Sequence, residues 1–260
     1  MNDLTITLIQ TDLVWEQAAQ NRQGLKEKIR SLSRSSDLLI LPEMFTTGFS
    51  MHPQKLAESP NGPTVQWLKT LSAEVQTDIT GSIIISEKDH YFNRLFYVKP
   101  AGQIFTYDKR HLFRMAGEDR IYSAGRKLLT VQLKGWNIRP FICYDLRFPA
   151  WIRNQNLEYD LGLFVANWPE RRIAHWRLLL QARAVENQAF IAGVNRIGKD
   201  GHGIVHNGQS LVVDPSGNIL ADLEDKDTVR SVTLSRKKLN DYRQKFPSWK
   251  DADVFHIKTT

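Results

Sequence analysis

Short β-branched runs alternate with helix-period segments along this 260-residue chain, and that alternation restricts it to the α/β class. Leu4-Thr5-Ile6-Thr7-Leu8 has the period of two expected of a half-buried strand. Ala18, Arg22, Leu25, Ile29 and Leu32 then recur at helical spacing, with Arg22 at the edge of the stripe. Residues 37–41 form a short apolar strand stopped by Pro42, and a helix over 63–73 begins after Asn61-Gly62. Residues 81–86 read as a strand, and 94–99 and 103–107 flank Pro100-Ala101-Gly102 as a hairpin. The second half repeats this style, with strands at 128–133, 137–142, 161–166, 190–195, 210–214 and 229–234. A helix starts over 149–155, and a longer one over 172–187 puts Trp176, Leu179, Leu180, Arg183 and Ala184 on one face. This pattern gives layers of strand and helix but leaves three arrangements open: a single sheet, a doubly wound sheet or two sheets.

Composition narrows the class further. With 42% apolar and 24% charged residues the chain buries an ordinary core. No repeat, low-complexity tract or Pro/Gly/Ser linker divides it, so residues 1–260 read as one domain. One cysteine excludes an intrachain disulfide and a Cys₄ or Cys₂His₂ zinc site. Asp3 stands where a signal peptide would be basic, and no apolar run approaches the roughly 20 residues of a membrane helix. A cytoplasmic protein with no membrane contact is expected. The net charge of +7 is scattered, with no run of five like charges. It therefore argues weakly for steering an anionic substrate and hardly at all for nucleic acid.

Three strand ends carry reactive side chains. Cys143 ends the apolar Pro140-Phe141-Ile142 run and precedes an apparent helix start, whose N-terminus would favour a thiolate. On local context alone a small core residue is the plainer reading, since free cysteine is among the most buried types. None of the seven histidines sits in a recognisable cysteine-protease context. Glu43 follows the strand ending in Leu41-Pro42, and desolvation against Leu41, Met44 and Phe45 would favour its protonated form, as suits a general base near neutrality. A strand-end surface acid is the plainer alternative. Lys109 lies just past Tyr107, where a basic surface loop is the competing reading. Together a carboxylate, an ammonium and a thiol complete a set for amide cleavage: proton transfer, oxyanion stabilisation and attack.

Glu43 in LPEMFTTGF, Lys109 in YDKRHLF and Cys143 in ICYDLRFP resemble the Glu–Lys–Cys triad of the nitrilase superfamily, the carbon–nitrogen hydrolases. The resemblance extends through GEDRIYSAG, the segment from Asn167 to Gly198, and GQSLVVDPSGNIL. The CYDLRFP, NWP and ARAVENQ stretches are most similar to the omega-amidase branch, whose bacterial members act on 2-oxoglutaramate and related amides. The resemblance implies a four-layer α-β-β-α sandwich, a homodimer joined through outer helices, and neither metal nor organic cofactor. It assigns Glu43 as base, Lys109 and the Tyr144 backbone N–H as oxyanion donors, and Cys143 as nucleophile, with water completing the hydrolysis. Glu118 is similar to a second family glutamate that orients Lys109 or the substrate amide, against a solvated loop acid.

An omega-amide substrate carries a carboxylate remote from the reacting bond, and bidentate arginine suits it. Arg147, Arg171 and Arg172 are the candidates, although Arg147 could instead pair with Asp145. Phe45 and Trp168 are candidate pocket walls or core residues. Competing readings are a deaminated glutathione amidase, a nitrilase or an N-carbamoyl amino acid amidohydrolase. A non-enzymatic basic polyanion-binding protein and a scaffold that has lost its activity are the others.

Overall fold

Two six-stranded sheets, rather than one, take up the strand patterns. They are seen in a computed structural model that describes residues 2–32 and 36–258. The strands are β1 (Leu4–Gln10), β2 (Leu38–Ile40), β3 (Asp78–Glu87), β4 (His90–Val98), β5 (Ile104–Asp108), β6 (Val131–Leu133) and β7 (Trp136–Ile142). They continue as β8 (Leu161–Ala166), β9 (Phe190–Asn195), β10 (Ile197–Lys199), β11 (Val205–Asn207), β12 (Leu211–Val213), β13 (Ile219–Asp222) and β14 (Thr228–Leu234). The α-helices are α1 (Ala18–Arg30), α2 (Pro53–Leu56), α3 (Pro63–Val75), α4 (Glu118–Ile121), α5 (Pro149–Ile152), α6 (Ile173–Asn187) and α7 (Arg236–Lys245).

The first sheet runs β14-β1-β2-β3-β4-β5 and the second β13-β12-β9-β8-β7-β6. Each has a parallel centre, β1-β2-β3 in one and β7-β8-β9 in the other. Alternation along β4 shows how the layers form. Leu95 and Tyr97 join the core between the sheets, while Phe96 and Val98 pack under Leu25 and Ile29 of α1 and Val65, Leu68 and Leu71 of α3. On the far side of the second sheet α6 presses Trp176, Leu180 and Ala184 into the same core. The approach of α6 to β9 is so close that a Cβ on Gly193 would lie 2.5 Å from Leu180 Cδ1. The result is the α-β-β-α sandwich. No helix among the described residues is long and apolar enough to cross a membrane.

Several boundaries differ from the sequence reading. The helix expected over 149–155 is only α5, followed by a 3₁₀ turn at Gln155–Leu157. Asn154 diverts the chain there, its carboxamide bonding the Tyr159 N–H and carbonyl, and Asn156 adopts φ +53°. Leu32 lies past the end of α1, half-buried. The expected strand at 128–133 pairs only from Val131. α7, β13 and the β10–β11 hairpin are additional elements. In α7 only Leu239 is buried, so no apolar stripe announces the helix.

Candidate active site

β2, β7 and β8 of the parallel centres and the edge strand β5 end in one crevice, at the carboxyl ends of the strands. Glu43 lies three residues past β2, whereas Lys109, Cys143 and Asn167 immediately follow β5, β7 and β8. Cys143 has φ +43° and opens a 3₁₀ turn that runs to Arg147. A left-handed non-glycine residue at a strand end is strained by about 1–3 kcal/mol and persists only where its surroundings hold it. Asp145, fully buried, supplies that hold. Its carboxylate accepts the Ile142 N–H at 3.0 Å, the Tyr107 hydroxyl at 2.7 Å and the His111 N–H at 2.9 Å. The turn at Cys143 is thereby tied to both sides of Lys109. Arg183 of α6 adds two bonds to the Leu146 carbonyl, at 3.1 and 2.8 Å.

Glu43 and Glu118 are fully buried, and Lys109 is 1% exposed. Lys109 Nζ donates to Glu43 Oε1 at 2.9 Å and to both Glu118 oxygens at 3.0 and 2.9 Å. Glu43 Oε1 also accepts from Asn93 Nδ2 at 2.8 Å, and Oε2 from the Asn167 N–H at 2.9 Å. Glu43 is thus held by donors as well as by apolar walls. Burial alone would lower the Lys109 pKa, but the Glu118 and Glu43 carboxylates outweigh it and leave the ammonium strongly favoured. Burial also raises the Glu118 pKa against the pull of Lys109, with Glu43 adding to the rise.

The thiol corrects one expectation. Burial, with the Glu43 carboxylate adding to it, pushes the Cys143 pKa well above the usual thiol value despite Lys109 and the Asn167 N–H. The expected pre-formed thiolate depended on a helix N-terminus, and the chain provides only a five-residue 3₁₀ turn and the four-residue α5. The site therefore favours the neutral thiol, with the Glu43 carboxylate acting on it directly.

The crevice widens into a cavity of about 310 Å³, at the small end for ligand pockets. Glu43, Lys109 and Cys143 line it together with Tyr144, Arg147, Trp168, Arg171 and Arg172. Glu118 does not line it, and its carboxylate lies on Lys109. Arg147 does not pair with Asp145, whose oxygens are already engaged. Its guanidinium instead stacks 4.7 Å from the Trp168 ring centroid and reaches His175 Nδ1 at 3.2 Å. Arg172 lies 5.2 Å from the Phe113 ring centroid, and burial together with Arg171 and Arg147 lowers its pKa. None of the three arginines forms an ion pair with a carboxylate among the described residues. Phe45 is not a pocket wall. The turn at Met44 (φ +42°) sends it behind the site, where it packs 6.0 Å from Trp67 and against Gly81. No cluster of three or more His, Cys, Asp or Glu among the described residues is arranged to hold a metal ion.

With this geometry in hand, the sequence signature described as carbon-nitrogen hydrolase matches residues 5–244. The chain belongs to the carbon–nitrogen hydrolase family. It is 43% identical over 258 residues to the omega-amidase YafV of Escherichia coli K12, covering 99% of this chain and 100% of the relative. It is 32% identical to the 2-oxoglutaramate amidase of Bacillus subtilis, covering 95% and 96% of the two chains. Among solved structures, a CN-hydrolase superfamily protein of Xanthomonas campestris with an arsenic adduct in its active site superposes with a TM-score of 0.97. That pair is 43% identical, with 99% and 100% of the chains covered.

Two polar residues of this carbon–nitrogen hydrolase site escaped the sequence reading. Asn167 stood inside the NWP segment at a strand end, the same signal that singled out Cys143. Asn93 lies within β4, where no local pattern marks it. The β10–β11 hairpin also reaches the cavity, through Asp200, His202, Ile204 and His206. Its seat is Asp12–Trp15: Arg196 bonds Asp12 Oδ1 at 2.7 Å, and Trp15 meets His202 edge-on at 5.4 Å. Burial and Arg196 lower the His206 pKa to about 4, so its imidazole is neutral at pH 7.

Proposed function

We propose that this protein is an omega-amidase that hydrolyses the terminal amide of small dicarboxylic acid monoamides, such as 2-oxoglutaramate, 2-oxosuccinamate and succinamate. The observation that carries the reading is the pairing of a Glu–Lys–Cys floor with three arginines that lack carboxylate partners in a cavity of about 310 Å³. The full-length likeness to an omega-amidase and to a 2-oxoglutaramate amidase supports it. We read residues 1–260 as one hydrolase domain.

In this mechanism Cys143 Sγ attacks the amide carbon while Glu43 accepts the thiol proton. The ammonium of Lys109 has three N–H bonds. One serves Glu43, the two Glu118 oxygens can share another, and the third meets the oxyanion. The Tyr144 backbone N–H, in the first turn of the 3₁₀ segment and without a helical partner, supplies a second donor. Glu43 then protonates the leaving nitrogen, the C–N bond breaks, and ammonia departs from a Cys143 thioester. Water attacks the thioester with Glu43 again accepting a proton. The C–S bond breaks, the thiol is restored and the dicarboxylate leaves.

The arginines hold the remote carboxylate, with Arg172 nearest in chemistry to a dedicated partner. It is half-buried and already opposed by like charge, so an anion relieves its environment. Arg172→Met is expected to raise KM for succinamate about 10–100-fold, the equivalent of one charge-assisted hydrogen-bond pair. The rate at which iodoacetamide alkylates Cys143 should stay unchanged. An unaltered KM would remove Arg172 from substrate binding. The substrate class is tested by ammonia release from a panel of omega-amides, nitriles and N-carbamoyl amino acids. Turnover confined to nitriles or carbamoyl compounds would overturn it.

We also propose a homodimer in the cytoplasm. Ala174, Leu178 and Val185 lie on the outer side of α6, with Leu178 66% and Val185 47% exposed. Such an apolar stripe is ready to be covered by a second copy. Sedimentation should give twice the 30.0 kDa chain mass, and Leu178→Glu should return a monomer.

A further inference from the structure

One buried residue bonds both Glu43 and Lys109, through its side chain and its main chain respectively. Asn93 is 1% exposed and sits in β4, opposite Ile84 of β3. Its backbone carbonyl accepts the Lys109 backbone N–H at 3.0 Å. Its Nδ2 donates at 2.8 Å to Glu43 Oε1, the oxygen that also receives Lys109 Nζ at 2.9 Å. Its own Oδ1 is buried with no hydrogen-bond partner among the described residues. A buried unpaired acceptor is a cost that an apolar side chain of the same shape would avoid, so stability alone does not account for an amide here. Asn93 does not line the cavity and so acts through its neighbours.

We propose that Asn93 is a positioning residue that sets the Glu43 carboxylate against Lys109 and aims it for the thiol proton. The main-chain bond fixes where the Lys109 segment leaves β5. The side-chain bond aims Glu43 Oε1 at the same point. A hydrogen bond to the charged form of an acid stabilises that form, so replacing Asn93 takes that support away from the carboxylate. The other titratable groups that act on Glu43 are Lys109 and Glu118 from the segment after β5, Tyr122 at the end of α4, Cys143 after β7, and His206 in β11. Asn167 is the other neutral donor, but it lines the cavity. Asn93 is therefore the donor whose removal leaves the substrate contacts in place.

The inference rests on Glu43 being the base, and the experiment separates the two claims. The pH dependence of kcat/KM for succinamate is measured for the wild type, Asn93→Leu, Asn93→Asp and Glu43→Gln, with a thermal melt of each. Asn93→Leu removes the donor and the orphaned acceptor together. It should melt near the wild type while its acid limb moves to higher pH by about one unit. Its kcat should fall about tenfold or more with KM little changed. Asn93→Asp keeps the shape but sets a second carboxylate beside Glu43, so its acid limb should move further. It also decides the matter if Asn93→Leu does not fold. A folded variant with the wild-type acid limb, including one that has merely lost kcat, overturns the role of Asn93. Retained activity in Glu43→Gln overturns the base assignment and this inference with it. An inactive Glu43→Gln beside unshifted Asn93 variants overturns this inference alone.

Discussion

Cys143→Ala is expected to lower kcat on omega-amides by about ten-thousand-fold or more, the scale of losing a covalent nucleophile. No other thiol exists in the chain to substitute for it. Cys143→Ser should be nearly as inactive. The surroundings already push the thiol pKa well up, and an alcohol in the same place holds its proton far more tightly. The fold should survive either change, because Asp145 and Arg183 hold the turn through atoms that neither substitution touches. Mass spectrometry of wild-type enzyme quenched during turnover should find an acyl group on the peptide carrying Cys143, and none on the alanine variant. Alanine or serine variants that keep a hundredth of the activity would remove the thioester from the mechanism. A polyanion-binding protein, by contrast, would keep its function in Cys143→Ala and show a steep salt dependence.

The parts of the site legible in the sequence were those that local chemistry marks. Glu43, Lys109 and Cys143 each break an apolar or aromatic setting at the end of a strand, so their positions stood out before any pairing was known. Asn93 did not, because its significance depends on register. Antiparallel pairing of β4 with β3 and β5 brings it beside the Lys109 segment, and parallel pairing of β3 with β2 brings Glu43 to it. Phe45 shows the opposite limit. Its place after a strand suggested the cavity mouth, but one left-handed residue, Met44, reversed its direction. The split into two sheets was also beyond periodicity, since the buried run Leu161–Ala166 looks the same in either arrangement. The β10–β11 hairpin was hidden by its brevity: two three-residue strands carry no readable alternation.

Lys109→Met is expected to damage both chemistry and folding, and the pH dependence of the damage tests the charge balance of the site. The loss of one oxyanion donor alone lowers kcat about 100–1,000-fold. The substitution also leaves Glu43 and Glu118 buried together without the cation that both contact. Breaking a buried ion pair from one side costs about 3–5 kcal/mol at neutral pH. The sign of the pH effect follows from proton counts. In the wild type, Lys109 has a raised folded pKa, so its contribution is present at neutral pH and is lost only as pH rises through the alkaline range. Glu118 already has a raised folded pKa, so the native state gives up its proton at a higher pH than the unfolded chain does. Without Lys109 only the Phe113 N–H opposes that rise, and the native variant holds more protons than its unfolded state over the mildly acidic range. Its stability must then fall as pH increases through that range. Melting temperatures taken from pH 5 to pH 8 should decline steeply for Lys109→Met and much less for the wild type. Two parallel curves would mean that Lys109 does not neutralise the carboxylates in the folded protein.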